Sequence, residues 1–203
     1  METQTERRRP RFLDQDFKPS LNHIVESREV VVRTLQVQRL LHSCFFRNQI
    51  SLYQVQVIIP NLAAQDRWQK LEQAVIVMLD KLHEEVRGER ERLKVIADQA
   101  QIPIESSGVF AQTEPMETVL SVYSPEANRF LDLLMALDSV IDIANRLWIR
   151  GRFSTQQQRA LATQWRRKLV RFTRELHLTR IRAARAAKSE RAEKMRARDQ
   201  VAH

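Results

Sequence analysis

The stretch that most constrains this chain runs from Glu117 to Leu176. It opens as a strand, Glu117 to Tyr123. Ser124 then offers an N-cap oxygen, and Pro125 takes the first helical position, where its missing N–H costs nothing. The helix that follows is apolar nearly all round: Phe130, Leu131, Leu133, Leu134, Leu137, Val140, Ile141, Ile143, Ala144, Leu147 and Trp148. A surface helix keeps one polar face, so a helix this apolar belongs at the centre of a bundle. Gly151 stands where a helix-terminating C′ residue is expected. Ser154 and Gln157 form an S-x-x-Q capping box for a second helix. That helix carries Leu161, Trp165, Leu169, Phe172 and Leu176 on one stripe, with Arg159, Arg166, Arg167, Lys168 and Arg174 elsewhere. Strand, core helix, Gly turn and basic helix make one continuous unit.

Three glycines and six prolines in 203 residues favour long helices over tight turns. Cys44 is the single cysteine, which excludes an intramolecular disulfide and fits a reducing, cytoplasmic setting. No segment approaches about 20 uncharged apolar residues, so no membrane span is expected. Arg7, Arg8 and Arg9 have no apolar stretch behind them, unlike a secretory signal. A formal charge of +9 and a sequence pI near 10.4 point to a polyanionic partner, nucleic acid before membrane.

Taken in order, residues 1–27 are expected to be a basic, flexible arm built on Arg7, Arg8, Arg9 and Arg11, serving either as a phosphate contact or as a solubilising tail. Residues 28–183 are expected to be a single helical domain for DNA binding and dimerisation. Within it, Arg28–Gln38 is β-branched and reads as a strand running into a short helix. Ser51–Ile59 alternates, with Tyr53, Val55, Val57 and Ile59 on one side and Gln54, Gln56 and Ile58 on the other, and reads as a second strand. Pro60 stops it and Asn61 caps a long helix over 62–99, in which Gly88 is a candidate bend. Residues 101–116 read as a connector. Residues 184–203 read as a basic tail without an apolar stripe, in which nothing can be buried. No internal repeat is evident.

Signatures of catalysis are missing: there is no P-loop, no dinucleotide-binding glycine motif and no nucleophile elbow. Asp138 and Asp142 stand at i, i+4 and could in principle hold a cation or act as acid and base. The plainer expectation is that they pair with Arg129, Arg146 or a neighbouring helix. His42 and Cys44 supply too few ligands for zinc, and core packing accounts for Cys44. No enzyme activity, cofactor, metal or small-molecule ligand is therefore expected.

A strand with alternating Gln ahead of a long helix, in a basic chain, matches how ribbon-helix-helix regulators read DNA. Two antiparallel strands, one from each subunit, enter the major groove, and Gln can read adenine bidentately. On that basis Gln54 and Gln56 are the expected base readers and Arg67 and Lys70 the flanking phosphate contacts. Arg8, Arg9, Arg182 and Arg185 are the expected contacts from the two tails. The competing ribbon is 117–123, whose strand–helix–Gly–helix order fits the motif better.

The segments Val32–Leu41, Arg129–Asp138, Leu147–Ser154 and Arg166–Phe172 carry spaced Leu, Asp, Trp and Gly. In these the chain resembles the accessory proteins of integrating conjugative elements and conjugative plasmids, over roughly residues 28–180. The resemblance implies an atypical ribbon-helix-helix protein that controls conjugative-transfer genes. The expectation is thus a mainly α chain with a small β component, a long-helix bundle with an atypical ribbon-helix-helix element. Its expected partners are double-stranded DNA and further copies of itself, as a homodimer or higher oligomer. The competing expectation is a non-enzymatic structural or partner-binding protein of a conjugation or RNA complex. A helix-turn-helix using Ser154–Phe172 for recognition is a third, opposed by the apolar stripe that should bury that helix.

Overall fold

The structure is a computed structural model and describes residues 25–61, 65–104 and 114–201. Strand β1 spans Glu26–Val32. A continuous helical rod follows, made of α1 (Leu35–Leu40), a π-helical turn (Leu41–Phe45), α2 (Phe46–Tyr53), a second π turn (Gln54–Ile58) and a 3₁₀ turn (Ile59–Asn61). Helix α3 is Gln65–Gln99, β2 is Met116–Val122, α4 is Pro125–Ile149 and α5 is Thr155–Val201. The fold is mainly α with one two-stranded antiparallel sheet among the described residues.

The local signals in the second half form as their chemistry requires. Ser124 Oγ accepts from the Ala127 N–H at 3.2 Å, with Pro125 at the first helical position. Ser154 and Gln157 exchange hydrogen bonds of 2.8 and 3.1 Å. Gly151 sits at φ +67°, its N–H reaching Trp148 O while the Arg152 N–H reaches Leu147 O, so α4 ends in a Schellman turn. α4 is the buried axis of the molecule, with Phe130, Leu131, Leu133, Leu134, Leu137 and Val140 fully covered. α3 packs along one side of it and the ribbon along another, while α5 and the 35–61 rod pack on each other and on α4.

Three expectations are corrected. First, 51–59 is helical, not a strand. Leu41, Phe45, Asn48, Leu52, Val55 and Ile59 are buried at three- and four-residue intervals, continuing the stripe begun at Val37. A nine-residue window catches Tyr53, Val55 and Ile59 as alternation, but extending a helix already nucleated costs little. The two π turns also rotate the buried face, so Leu52, Tyr53 and Val55 are all covered.

Second, both strands of the ribbon belong to one chain. β1 pairs antiparallel with β2 in a register running from Glu26 opposite Val122 to Val32 opposite Met116. The ribbon is therefore closed without a second subunit, and marginal strand pairing is no argument for a dimer.

Third, the chain contains an internal repeat. A shift of 90 residues carries β1 onto β2, the N-cap Thr34 onto Ser124, the start of the rod at Leu35 onto Pro125, and the start of α3 at Gln65 onto Thr155. It also carries the buried Val75, Leu79, Leu82, Val86 and Ala97 onto the buried Trp165, Leu169, Phe172, Leu176 and Ala187. Glu29, at the middle of β1, pairs with its own equivalent, Val119. The two strand–helix–helix units are thus related by an approximate two-fold axis through the ribbon. They are also interlocked: α3 packs on α4 and α5 packs on α2, each second helix covering the first helix of the other unit. Apart from positions such as Leu41 and Leu131 or Leu79 and Leu169, the repeat preserves burial rather than residue identity, which hides it from the sequence.

A candidate nucleic-acid interface

Side chains alternate across the ribbon. Val30, Val32, Leu120 and Val122 point inward onto the bundle. Ser27, Glu29 and Val31 of β1, and Glu117, Val119 and Ser121 of β2, point outward, with Val31 51% and Val119 56% exposed. Arg33 continues the outward row past the end of β1.

The ribbon is fastened to α4 by polar contacts. Arg28 bonds Asn128 and, at 2.8 Å, Asp132. Buried Asp138 accepts from the Arg33 N–H at 3.0 Å, the Thr34 N–H at 2.9 Å and the Thr34 hydroxyl at 2.7 Å. That carboxylate satisfies donors where β1 turns into α1, at the positive end of the helix dipole. Asp142 pairs with Arg146 at 2.9 Å, and Arg146 also donates to Pro103 O, tying the connector to α4. Asp138 and Asp142 are thus accounted for by structure. Among the described residues no group of three or more His, Cys, Asp or Glu could hold a metal ion. Cys44 lies in the core, and His42 is half-buried, where burial pushes the imidazole below its ordinary value.

The second charged surface is the outer flank of α5. From Arg150 to Arg174 there are eight basic residues and no acid. Leu161, Trp165, Leu169, Phe172 and Leu176 turn inward, which directs Arg159, Arg166, Arg167, Arg171 and Arg174 to solvent among Gln156, Thr163 and Gln164. Lys168 is the exception: it bonds Glu85 at 2.6 Å and lies over the Trp165 ring. Trp165 and Leu169 bury the opposite face of this helix in the bundle. Asn128 and Asp132 bond the ribbon, whereas Phe130 stacks on Phe172 of α5. Positions two apart on a helix point about 200° apart, so ribbon and α5 flank opposite sides of α4.

The sequence-predicted contacts distribute differently. Gln54 accepts from Arg180 and Gln56 donates to Glu126, so both glutamines join the rod to other helices and neither stands on a strand. Lys70 is exposed on α3, and Arg182 and Arg185 are exposed on α5. Arg67 lies in the first turn of α3. Arg8 and Arg9 lie outside the described residues. The expected tail is helical to Val201, and Ala187 within it is buried, 1% exposed, on the side of α5 that lines a cleft shared with Ile59, Trp68 and Leu71. No helix among the described residues is long and apolar enough to cross a membrane. Sequence reasoning named 117–123 as the competing ribbon but not its partner Glu26–Val32 as the other half. The signal available was the β-branched run Val30, Val31, Val32.

No protein-family model matches the chain, and no curated protein matches it significantly. Its structure is similar to the crystal structure of selenomethionine-containing AcaB from uropathogenic E. coli, with a TM-score of 0.78 and 23% sequence identity. The likeness covers 85% of this chain and 88% of that one. At that identity the likeness shows a shared fold, and it supports a resemblance of this chain to AcaB.

Proposed function

We propose that this chain is a sequence-specific, DNA-binding transcription regulator that reads the major groove with the β1–β2 ribbon, acting on conjugative-transfer genes. The observation that carries the reading is the intramolecular ribbon, seated on two strand–helix–helix units with its outer face uncovered. The major groove admits a two-stranded ribbon. Outward carboxylates of Glu29 and Glu117 suit the cytosine amino group, the Ser27 and Ser121 hydroxyls suit several base edges, and Val31 and Val119 suit the thymine methyl. The conjugative target rests on the resemblance to AcaB-like proteins alone. Assembly into a homodimer or higher oligomer belongs to the same proposal, on surfaces other than the ribbon.

An intramolecular ribbon has a consequence for its target. The repeat places Ser27 opposite Glu117 in role, Glu29 opposite Val119 and Val31 opposite Ser121. The two halves carry different chemistry, so one chain reads an asymmetric sequence, and a palindromic site reports two chains. Selection from a random duplex pool tests this. A defined recovered sequence supports the proposal, and Val119→Ala or Glu29→Ala should then weaken it by about 1–3 kcal/mol per lost base contact. Sequence-blind retention would instead favour a structural or RNA-complex role.

A further inference from the structure

The repeat supplies an internal control for the charge on α5. α3 and α5 are the same element in the two units, yet they differ in charge. Over Gln65–Gln99 there are seven basic and eight acidic residues, and over Thr155–Val201 fourteen basic and four acidic. α3 also neutralises itself: Arg87 pairs with Glu84 at 2.9 Å, Arg92 with Glu89 at 2.5 Å and Lys94 with Glu91 at 3.6 Å. The residues of α3 equivalent to Arg166, Arg167, Arg171 and Arg174 are Ile76, Val77, Lys81 and Glu84. The fold therefore does not need this row of cations, since its other copy keeps one of the four, Lys81.

We infer that the outer flank of α5, from Arg159 to Arg174, is a docking surface for the phosphate backbone of duplex DNA. The inference rests on the DNA-binding reading above and assigns it a second surface, across α4 from the ribbon. None of Arg159, Arg166, Arg167, Arg171 and Arg174 has an ion-pair partner among the described residues. The exposed cations are all arginine, whose planar fork meets phosphate oxygens bidentately. At 1.5 Å per residue this flank is about 24 Å long, enough to follow several phosphates. Single-stranded nucleic acid wants aromatic platforms, and this flank carries Thr, Gln and Val170 instead. A membrane-surface helix wants large apolar residues beside its cations, and Val170 is the one exposed apolar side chain between Arg159 and Arg174 larger than alanine. The outward face of the ribbon carries two carboxylates, Glu29 and Glu117, against the single cation Arg33 that extends its row, so it offers phosphate far less positive charge than the α5 flank.

The test is the salt dependence of binding by the full chain and by R166Q/R167Q/R171Q/R174Q, with K81Q/R87Q on α3 as the matched control. The ligands are a mixed-sequence DNA duplex, the sequence recovered from selection, an RNA duplex of equal length, single-stranded DNA, and phosphatidylglycerol vesicles. All six side chains are exposed, so melting temperatures should stay together. The expected result is a slope of log K against log salt shallower by about 3–4 for the quadruple variant, from ~0.9 per phosphate contact. The loss should be equal on both DNA duplexes, and the α3 control should match the parent. An unchanged slope, an equal loss in the α3 control, failure of the parent to bind duplex DNA, or parental preference for RNA, single strands or vesicles each overturns the inference. If the slope changes but selection recovers no sequence, the regulator reading fails while this surface stands. If selection succeeds and the slope is unchanged, the reverse holds.

Discussion

Removing the Asp138 carboxylate gives the sharpest test of how the ribbon is held. Asp138 is 4% exposed and accepts three hydrogen bonds, from two backbone N–H groups and the Thr34 hydroxyl. A bond to a charged acceptor is worth about 1.5–3 kcal/mol, and an abandoned buried donor costs about 1–3. The Arg33 N–H is only partly buried and can recover a water, and the Thr34 hydroxyl can rotate. One full loss and two partial ones give about 3–5 kcal/mol for Asp138→Ala. Asp138→Asn keeps an oxygen for the two Thr34 donors but turns an amide toward the Arg33 N–H, for about 2 kcal/mol. Native proteins have about 5–15 kcal/mol of stability, so a loss of this size leaves a chain in the upper part of that range folded, with Asp138→Ala melting roughly 10 °C lower. Urea unfolding measures the loss. Amide exchange should then show β1 loosening more than α3, since the contact joins β1 to α4. Asp138→Ala within about 1 kcal/mol of the parent, or exchange rising equally in α3, would refute the account.

Two glycines should respond in opposite directions to the same change. A Cβ at either Gly88 or Gly151 meets nothing within 4 Å, but Gly151 sits at φ +67° and Gly88 inside α3. Gly151→Ala should therefore destabilise by about 1 kcal/mol and Gly88→Ala stabilise by about 0.5–1 kcal/mol, and equal signs in thermal unfolding would contradict this. Burial in the first turn of α4 pushes Glu126 above its ordinary 4.5, and Glu72 adds in the same direction. The folded state then holds the proton more tightly, so stability falls as pH rises from 4.5 through the raised value. Glu126→Gln should be more stable than the parent at pH 7, with the gap closing toward pH 4; a gap independent of pH would exclude this cause. Ending the chain after Glu190 should leave the melting temperature unchanged, whereas ending it after Ala183 removes buried Ala187 and should cost on the order of 1 kcal/mol; identical melting curves would show that α5 is not held there.

From Ser124 onward the fold was legible because its determinants are local. An N-cap, a proline at the next position, a C′ glycine and a capping box act within one helical turn, so each can be recognised from its neighbours in the chain. The bounds of α4 and the Gly151 turn follow from these residues alone. The ionic face of α5 was equally visible, because Leu161, Trp165 and Leu169 assign the arginines to the opposite side.

What the tertiary structure decided is everything that depends on a partner far along the chain. Val30 and Val32 have strand chemistry, but only the approach of β2, 90 residues later, makes them half of a ribbon. Tyr53, Val55 and Ile59 satisfy a strand's alternation and a helix's stripe at once. Helices surrounding the rod, with Arg180 for Gln54 and Glu126 for Gln56, settle it as helix. Asp138 looked like half of an acidic pair because its true partners, Arg33 and Thr34, are more than 100 residues away. The repeat was invisible for the same reason. Burial is a property of the assembled core, and two units can share it position by position while sharing few residues.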